Sequence, residues 1–327
     1  MSLKLNVHGE TWPATVPFRI TGTTFTAFES IVVELSDGNH TGRAEALGVY
    51  YLNETRASML EQVEVLRPRI VQGLDRRELQ TLLPPGGARN AIDCALWDLE
   101  AKSTGKTIWS LTAVAPRDLQ TVFTIGMEDT PAQMAAKASA AADTGLLKIK
   151  LNSDRPVERL QAIRAARPDA RLVVDANQGW DIKQLHEVIE VAGALRIEMI
   201  EQPLPRGADA ALEGVRSPVP LCADESCLHL GELDAAAKRY QMINIKLDKT
   251  GGLTHALQLA SEARKRGLGI MVGCMAGSSL AMAPAFVVGC LADLVDIDGP
   301  LLQKSDRQHG IRYRRGVASV FGPELWG

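Results

Sequence analysis

From about residue 115 onward, short runs rich in Val, Ile and Leu alternate with longer stretches whose apolar residues recur every three or four positions. The first pattern predicts buried strands and the second amphipathic helices. The strands are expected at residues 120–126, 146–151, 171–176, 197–202, 220–225, 242–247, 269–274 and 294–298, recurring roughly every 22–28 residues. Helices are expected at 131–145, 157–167, 182–195, 254–267 and 278–293, and several of them stop at a glycine. Continuously apolar strands suit a parallel sheet covered on both faces. About eight strand–helix units in under 200 residues predict a (β/α) barrel; the alternative, a flavodoxin-like open sheet, needs fewer units.

Residues 1–115 follow another rhythm. Stretches 29–38 and 41–47 read as antiparallel strands and 57–74 and 88–105 as helices, an α+β arrangement. No low-complexity linker separates the two parts, so they are expected to pack directly. The tail from Gln303 to Gly327 is basic, then apolar, and falls outside the repeat. The expected division is therefore an α+β unit over 1–115, a barrel over 116–302 and a tail over 303–327 that returns to the first unit.

A formal net charge of −3 with both signs interspersed argues against a nucleic-acid surface or a polybasic membrane patch. No apolar run approaches the ~20 residues that span a bilayer, and the N-terminal stretch lacks the order of a secretory signal. The expected compartment is the cytoplasm and the expected partner a small molecule. Cys94, Cys222, Cys227, Cys274 and Cys290 are odd in number and show no CxxC spacing, so they read as reduced packing residues. None of the six histidines is assigned chemistry, and no strand is followed by a GxGxxG turn, which disfavours a nicotinamide enzyme.

The stretch LLKIKL, residues 146–151, puts two lysines on one face of a strand that should be buried. An edge strand with lysines in water is one reading. The other follows from the barrel, where catalytic groups project from the C-terminal strand ends. Those ends carry Lys148 and Lys150, then Asp175, Glu201 and Asp224, then Lys246. Each carboxylate alone could cap a loop. Three converging at one mouth would repel unless a cation held them, and oxygen-only ligation favours Mg²⁺, with Mn²⁺ behind it. Lysines preceding and following the acids around the ring would flank a metal-bound substrate carboxylate. Two bases on opposite faces can invert its α-carbon, provided Lys150 is lowered toward ~7–8, with Lys148 as the expected perturber.

At KIK, VVDAN, IEQPL, ADES and NIKLDKTGGL in the barrel, and ARNAIDCALWDLEAK before it, the chain resembles the enolase superfamily, in its muconate-lactonizing subgroup. The resemblance implies a modified (β/α)7β TIM barrel with an N-terminal α+β capping domain completed by the C-terminal tail. It also implies Mg²⁺ on Asp175, Glu201 and Asp224, and acid/base roles for Lys150 and Lys246. Within the subgroup the same residues serve muconate cycloisomerases, o-succinylbenzoate synthases, N-acylamino acid racemases and dipeptide epimerases. Asp296 and Asp298 share one face of the last strand, where an acidic pair suits an ammonium group, although a solvated loop edge would also carry them. With GCMAGSSL and DGP nearby, they look like the pair that holds the free amine in dipeptide epimerases. Thr124 resembles a substrate-contacting position of the same family. Ala-Glu epimerases carry an arginine about where Phe25 stands, so the resemblance implies a hydrophobic or otherwise non-acidic second residue, with Arg19 the nearest substitute. The expected protein is a Mg²⁺-dependent dipeptide epimerase, free or as a homo-oligomer.

Overall fold

The computed structural model describes residues 2–327. It opens with an antiparallel sheet of order β1 (Lys4–Ile20), β2 (Thr23–Ser36), β3 (Thr41–Ala46). Helices α1 (Arg56–Val71), α2 (Arg76–Leu82), α3 (Gly87–Thr104) and the short α4 (Ile108–Thr112) follow. Thr55 starts α1 as a capping box with Ser58, and Gly105 ends α3 at φ +65°, a conformation that costs a glycine little. Nearly every residue of α3 is buried, because one side packs on β2 and β3 and the other on the barrel.

The β1–β2 hairpin is longer than expected, since the sequence reading began it at Glu29. Residues 4–20 stay partly exposed on both faces, so no apolar side marks them as a strand. Their far end reaches the barrel mouth, where Met127 N–H donates to Arg19 O at 3.1 Å and Thr21 Oγ1 to Leu151 O at 3.2 Å.

The second part runs β4 (Leu119–Gln120), β5 (Phe123–Ile125), α5 (Pro131–Ala140), β6 (Leu146–Lys150), α6 (Pro156–Ala166), β7 (Arg171–Asp175), α7 (Ile182–Ala192) and β8 (Ile197–Glu201). It continues β9 (Leu221–Ala223), α8 (Leu233–Ala236), β10 (Met242–Ile245), α9 (Leu247–Thr250), α10 (Leu253–Lys265), β11 (Gly269–Val272), α11 (Ser279–Gly289) and β12 (Leu294–Val295). Strands β5 to β12 form one parallel sheet in chain order. Its two ends meet where Val122 N–H donates to Val295 O at 2.9 Å, so the sheet curls into a barrel.

Three expectations need correction. The strand expected at 120–126 is split, because Leu119–Gln120 pairs with the C-terminal hairpin β13 (Tyr313–Arg314) and β14 (Val317–Ala318), and only Phe123–Ile125 belongs to the barrel. The last strand stops at Val295, and Asp296 and Asp298 lie beyond it, since the Asp298 carboxylate turns back to accept Thr124 N–H at 2.7 Å. The connections after β8 and β9 carry only one-turn helices, so the strand–helix alternation is incomplete there. The tail ends with Trp326 fully buried, its indole N–H on Cys94 O, and Ile108 N–H donating to Gly327 O at 2.7 Å.

Side-chain alternation then builds the barrel interior in layers. Val122, Leu146, Val173, Met199, Cys222, Met242, Met271 and Leu294, one per strand position, form a separate apolar cluster that floors the barrel. Two residues further along, on the same face, stand Thr124, Lys148, Asp175, Glu201, Asp224, Asn244, Gly273 and Asp296. A further two bring Lys150, Asn177, Lys246 and Asp298 to the mouth. Lys148 and Lys150 thus face inward, and the edge-strand reading fails because β6 is paired on both sides.

Candidate active site

The layer above the apolar floor is where the charges meet. Six buried carboxyl groups, on Asp175, Glu201, Asp224, Glu225, Asp296 and Asp298, stand with four buried ammonium groups, on Lys148, Lys150, Lys246 and Lys249. Adjacent strands hold them in register, with Lys150 opposite Asp175 and Asp175 opposite Glu201. Lys148 Nζ lies 2.7 Å from Glu201, 2.7 Å from Asp296 and 3.1 Å from Asp175. Lys150 meets Asp175 at 2.6 Å and Lys246 meets Asp224 at 2.7 Å, from opposite sides of the acid array. Gly273 makes room for this, since a Cβ there would sit 2.6 Å from Asn244 Oδ1 and 3.0 Å from Lys246 Cε.

The electrostatics follow from burial and these pairs. Burial pulls Lys148 down, but Asp296, Glu201 and Asp175 reverse it and hold the amine well above its ordinary value. Lys246 behaves alike, burial opposed by Asp224 and Glu201. Asp175 resists burial through Lys150 and Lys148 and falls to about 2. Burial and the neighbouring Asp175 charge push Glu201 up to about 7, and burial beside Asp224 pushes Glu225 up to about 8. Burial and Asp296 raise Asp298 to about 7. Lys148 is thus held as counter-charge to three acids.

The donor set fits a hard cation. Its carboxyl and amide oxygens are the ligand type that such an ion takes. Glu225 Oε2, Asn177 Oδ1 and Asn244 Oδ1 are buried oxygens without a hydrogen-bond donor, an arrangement costly unless something else satisfies them, whereas Glu201 Oε2 has the Lys148 ammonium at 2.7 Å. As arranged here the oxygens of Asp175, Glu201 and Asp224 turn onto the lysines. The acid and thiol atoms that converge within 4.8 Å among the described residues are instead those of Cys274, Asp296 and Asp298. Burial raises the Cys274 thiol, so it does not offer a thiolate, and Asp296 and Asp298 are already engaged by Lys148 and Thr124. Asp175, Glu201 and Asp224 form an oxygen-only set that could hold Mg²⁺.

A cavity of about 290 Å³ opens above this layer. Lys148, Lys150, Lys246, Thr124, Asp296 and Asp298 line its floor. Its roof comes from the β1–β2 hairpin and the turn after β3: Phe25 stacks on Phe28 with centroids 5.8 Å apart and meets Tyr50 edge-on at 5.5 Å. Arg19 is drawn away to Asp129 at 2.8 Å and does not line the cavity. Asn177, Gln202 and Ala276 take left-handed φ of +43°, +35° and +67° just past β7, β8 and β11, strain of the kind that clusters at functional sites.

Residues 2–112 match the family described as mandelate racemase / muconate lactonizing enzyme, N-terminal domain, and residues 133–317 match enolase C-terminal domain-like. The chain belongs to this enolase-type family. An N-acetyl-D-glutamate racemase from Pseudoalteromonas sp is 42% identical over 299 residues, 91% of this chain and 95% of that one. The L-Ala-D/L-Glu epimerase of Escherichia coli K12 is 41% identical over 315 residues, covering 95% and 98%. Among solved structures, an enolase-family member from Agrobacterium tumefaciens with homology to dipeptide epimerases, bound to sodium and L-Ala-L-Glu, superposes with TM-score 0.96 at 42% identity, covering 99% and 100%. A dipeptide epimerase from Enterococcus faecalis complexed with Mg and L-Leu-L-Tyr gives 0.91 at 26% identity, covering 98% and 97%.

Some members of the constellation escaped the sequence reading. Lys249 is fully buried and donates to Asp224 Oδ1 at 2.7 Å, Asp224 O at 2.6 Å and Asn244 O at 2.7 Å, so it fixes that carboxylate from behind. The one-turn helix α9 turns it inward, and spacing from Lys246 alone does not reveal that. Asn244, whose Nδ2 donates to Glu201 Oε1 at 2.6 Å, was legible as an inward strand position. Glu225 and Tyr51 carried no such signal.

Proposed function

We propose that this chain is a Mg²⁺-dependent dipeptide epimerase, inverting the α-carbon of the C-terminal residue. The observation that carries the reading is the pair of amines on Lys150 and Lys246, approaching one buried acid array from opposite sides. In this reading Asp175, Glu201 and Asp224 would hold the ion, which when bound would supply a Lewis acid for the charge that develops on the substrate carboxylate. Lys150 accepts the α-proton from one face while the C–H electron pair moves into the carboxylate. Lys246 returns a proton to the other face, and the reverse direction exchanges their roles. Either lysine must be neutral to accept and protonated to donate, so one of the pair holds the proton that the other lacks. Lys148 steadies the carboxylate, and Thr124 positions the substrate. Asp296 and Asp298 receive its free ammonium.

The capping unit, residues 1–115 closed by 303–327, then selects the second side chain. Phe25 within its aromatic wall supports an apolar or otherwise non-acidic residue there. The glutamate in the names of both sequence relatives weighs the other way, and Arg56, a cavity-lining cation held by Glu29 at 3.1 Å, is where an acidic side chain would dock. The partner remains a small dipeptide. Five unpaired cysteines and the lack, among the described residues, of a helix long and apolar enough to cross a membrane support the cytoplasm. Homo-oligomerisation stays part of the proposal.

A dipeptide library in D₂O with Mg²⁺, read by mass spectrometry, tests the reading. Deuterium should enter the C-terminal α-position, with Ala-Leu and Ala-Phe exchanging faster than Ala-Glu. No exchange with any dipeptide overturns the epimerase, and a strong preference for Ala-Glu overturns the apolar pocket. The 42% identity to an N-acetyl-D-glutamate racemase makes racemisation of N-acylamino acids the second reading; that substrate offers no ammonium to Asp296 and Asp298. Acylated amino acids in the same screen separate the two.

A further inference from the structure

The cap brings its own polar groups to the cavity, among them Glu29, Glu54, Arg56 and Tyr51. Tyr51 lies in the turn Tyr50–Leu52 after β3, lines the cavity, and its hydroxyl is buried without a hydrogen-bond partner. A buried, unpaired hydroxyl costs about 1–3 kcal/mol, so such a group at a site calls for an explanation. The protein acceptors nearby are occupied or turned elsewhere. Both Asp224 oxygens are taken, one by Lys246 and one by Lys249, each at 2.7 Å. Lys246 is itself a donor, and the Glu225 carboxyl, though buried beside Asp224, does not accept the phenol. A group entering from the cavity can supply that acceptor.

The turn is held rigidly over the site. Asp248 Oδ1, two residues past Lys246, accepts the N–H groups of Leu47 and Gly48 at 3.1 Å, and Asn90 donates to the same oxygen. Glu54 accepts Val49 N–H at 2.8 Å and Gly87 N–H at 2.9 Å, closing the other end. The Tyr50 ring braces the Tyr51 ring edge-on at 5.2 Å. A donor fixed in place before the substrate arrives needs no reorganisation as charge develops. Burial drives the Tyr51 phenol far above its ordinary range, so it stays neutral and able to donate.

We propose that Tyr51 is a further catalytic residue, its hydroxyl donating a hydrogen bond to the substrate carboxylate as negative charge builds on it in the enediolate. The proposal rests on the epimerase reading. It makes the cap part of the reaction and not only of substrate selection.

Tyr51→Phe removes the oxygen and keeps the ring. With the best dipeptide from the deuterium screen, kcat should fall about 10²-fold while KM stays within about threefold, because the bond strengthens only as charge appears. Affinity for a dipeptide whose C-terminal residue bears an α-methyl group, which cannot lose an α-proton, should stay within about threefold by calorimetry. Wild-type protein carrying 3-fluorotyrosine, titrated with the same α-methyl dipeptide, supplies a readout that does not depend on the variant's folding: one ¹⁹F resonance should shift, and Tyr51→Phe should delete that resonance. A kcat within about threefold of wild type, a parallel loss of analogue affinity, or no shifted fluorine resonance would each overturn the role of Tyr51 while leaving the epimerase standing. Absence of exchange in the wild type overturns the underlying reading instead.

Discussion

The barrel and the cap contribute to one cavity in opposite ways. The barrel side is charged and locked: ten buried ionisable residues sit on strand ends or just past them, and eight of them are tied to one another by ion pairs of 2.6–3.1 Å. The cap side is aromatic and lies on a hairpin and a turn, and its one charged pair, Arg56 with Glu29, stays 34% and 55% exposed. The difference teaches a division of labour. Pleated strands hold charges against their mutual repulsion at fixed spacing, whereas a hairpin reaching over the mouth can change its side chains without disturbing that balance.

The comparison breaks most sharply at the lysines. Lys150→Ala and Lys246→Ala should each cut deuterium exchange by at least about 10³-fold while circular dichroism stays native, and an active double variant would end the two-base scheme. Removing the ion comes next. Chelation should abolish exchange, and restoring Mg²⁺ to a hundred times its dissociation constant should add about 2.7 kcal/mol of stability in urea titrations. A melting curve indifferent to Mg²⁺ would mean the carboxylates do not hold it.

The ammonium site is subtler. Asp298→Asn can still accept Thr124 N–H, so the fold should hold, but kcat/KM for dipeptides should fall about 10–100-fold. Acylated amino acids, if turned over at all, should be unaffected; an equal loss for both substrates would deny Asp298 its role.

The seam between the two regions carries a pH signal. Asp93 on α3 accepts the Thr254 N–H and hydroxyl of α10 at 2.9 and 2.6 Å, and burial lifts its carboxyl to about 6. The folded state therefore binds the proton more tightly than the unfolded chain does. Stability from this group is present below the unfolded value near ~4 and is lost as pH rises through about 6, by about 1–3 kcal/mol. Asp93→Asn should flatten that slope in urea titrations between pH 4 and 7; an unchanged slope would move the effect elsewhere. Smallest of all, Phe25→Arg should tilt preference toward Ala-Glu over Ala-Leu by several-fold, and an unchanged ratio would free Phe25 from specificity.

Much of the barrel was readable because its signals are local. Every inward residue follows another by two, so an apolar floor at Leu146, Val173 and Met199 already fixes Lys148, Asp175 and Glu201 as the layer above it. The hairpin over 4–20 was not readable, since a strand exposed on both faces has no apolar period. Lys148 shows the same limit at the site. Its inward direction was evident, but its three acid partners come from β7, β8 and the loop after β12, up to 148 residues away.

By itself, then, the sequence determined which residues face the interior and which chemical groups end each strand, because side-chain alternation acts over a few residues. Only the tertiary structure decided which groups meet. Closure of the ring at Val122 and Val295 set the acid–amine pairs, and docking of α3 against α9 and α10 brought the turn carrying Tyr51 over Asp224 and Lys246. Those contacts depend on how separate elements pack, and no window of the chain contains both partners.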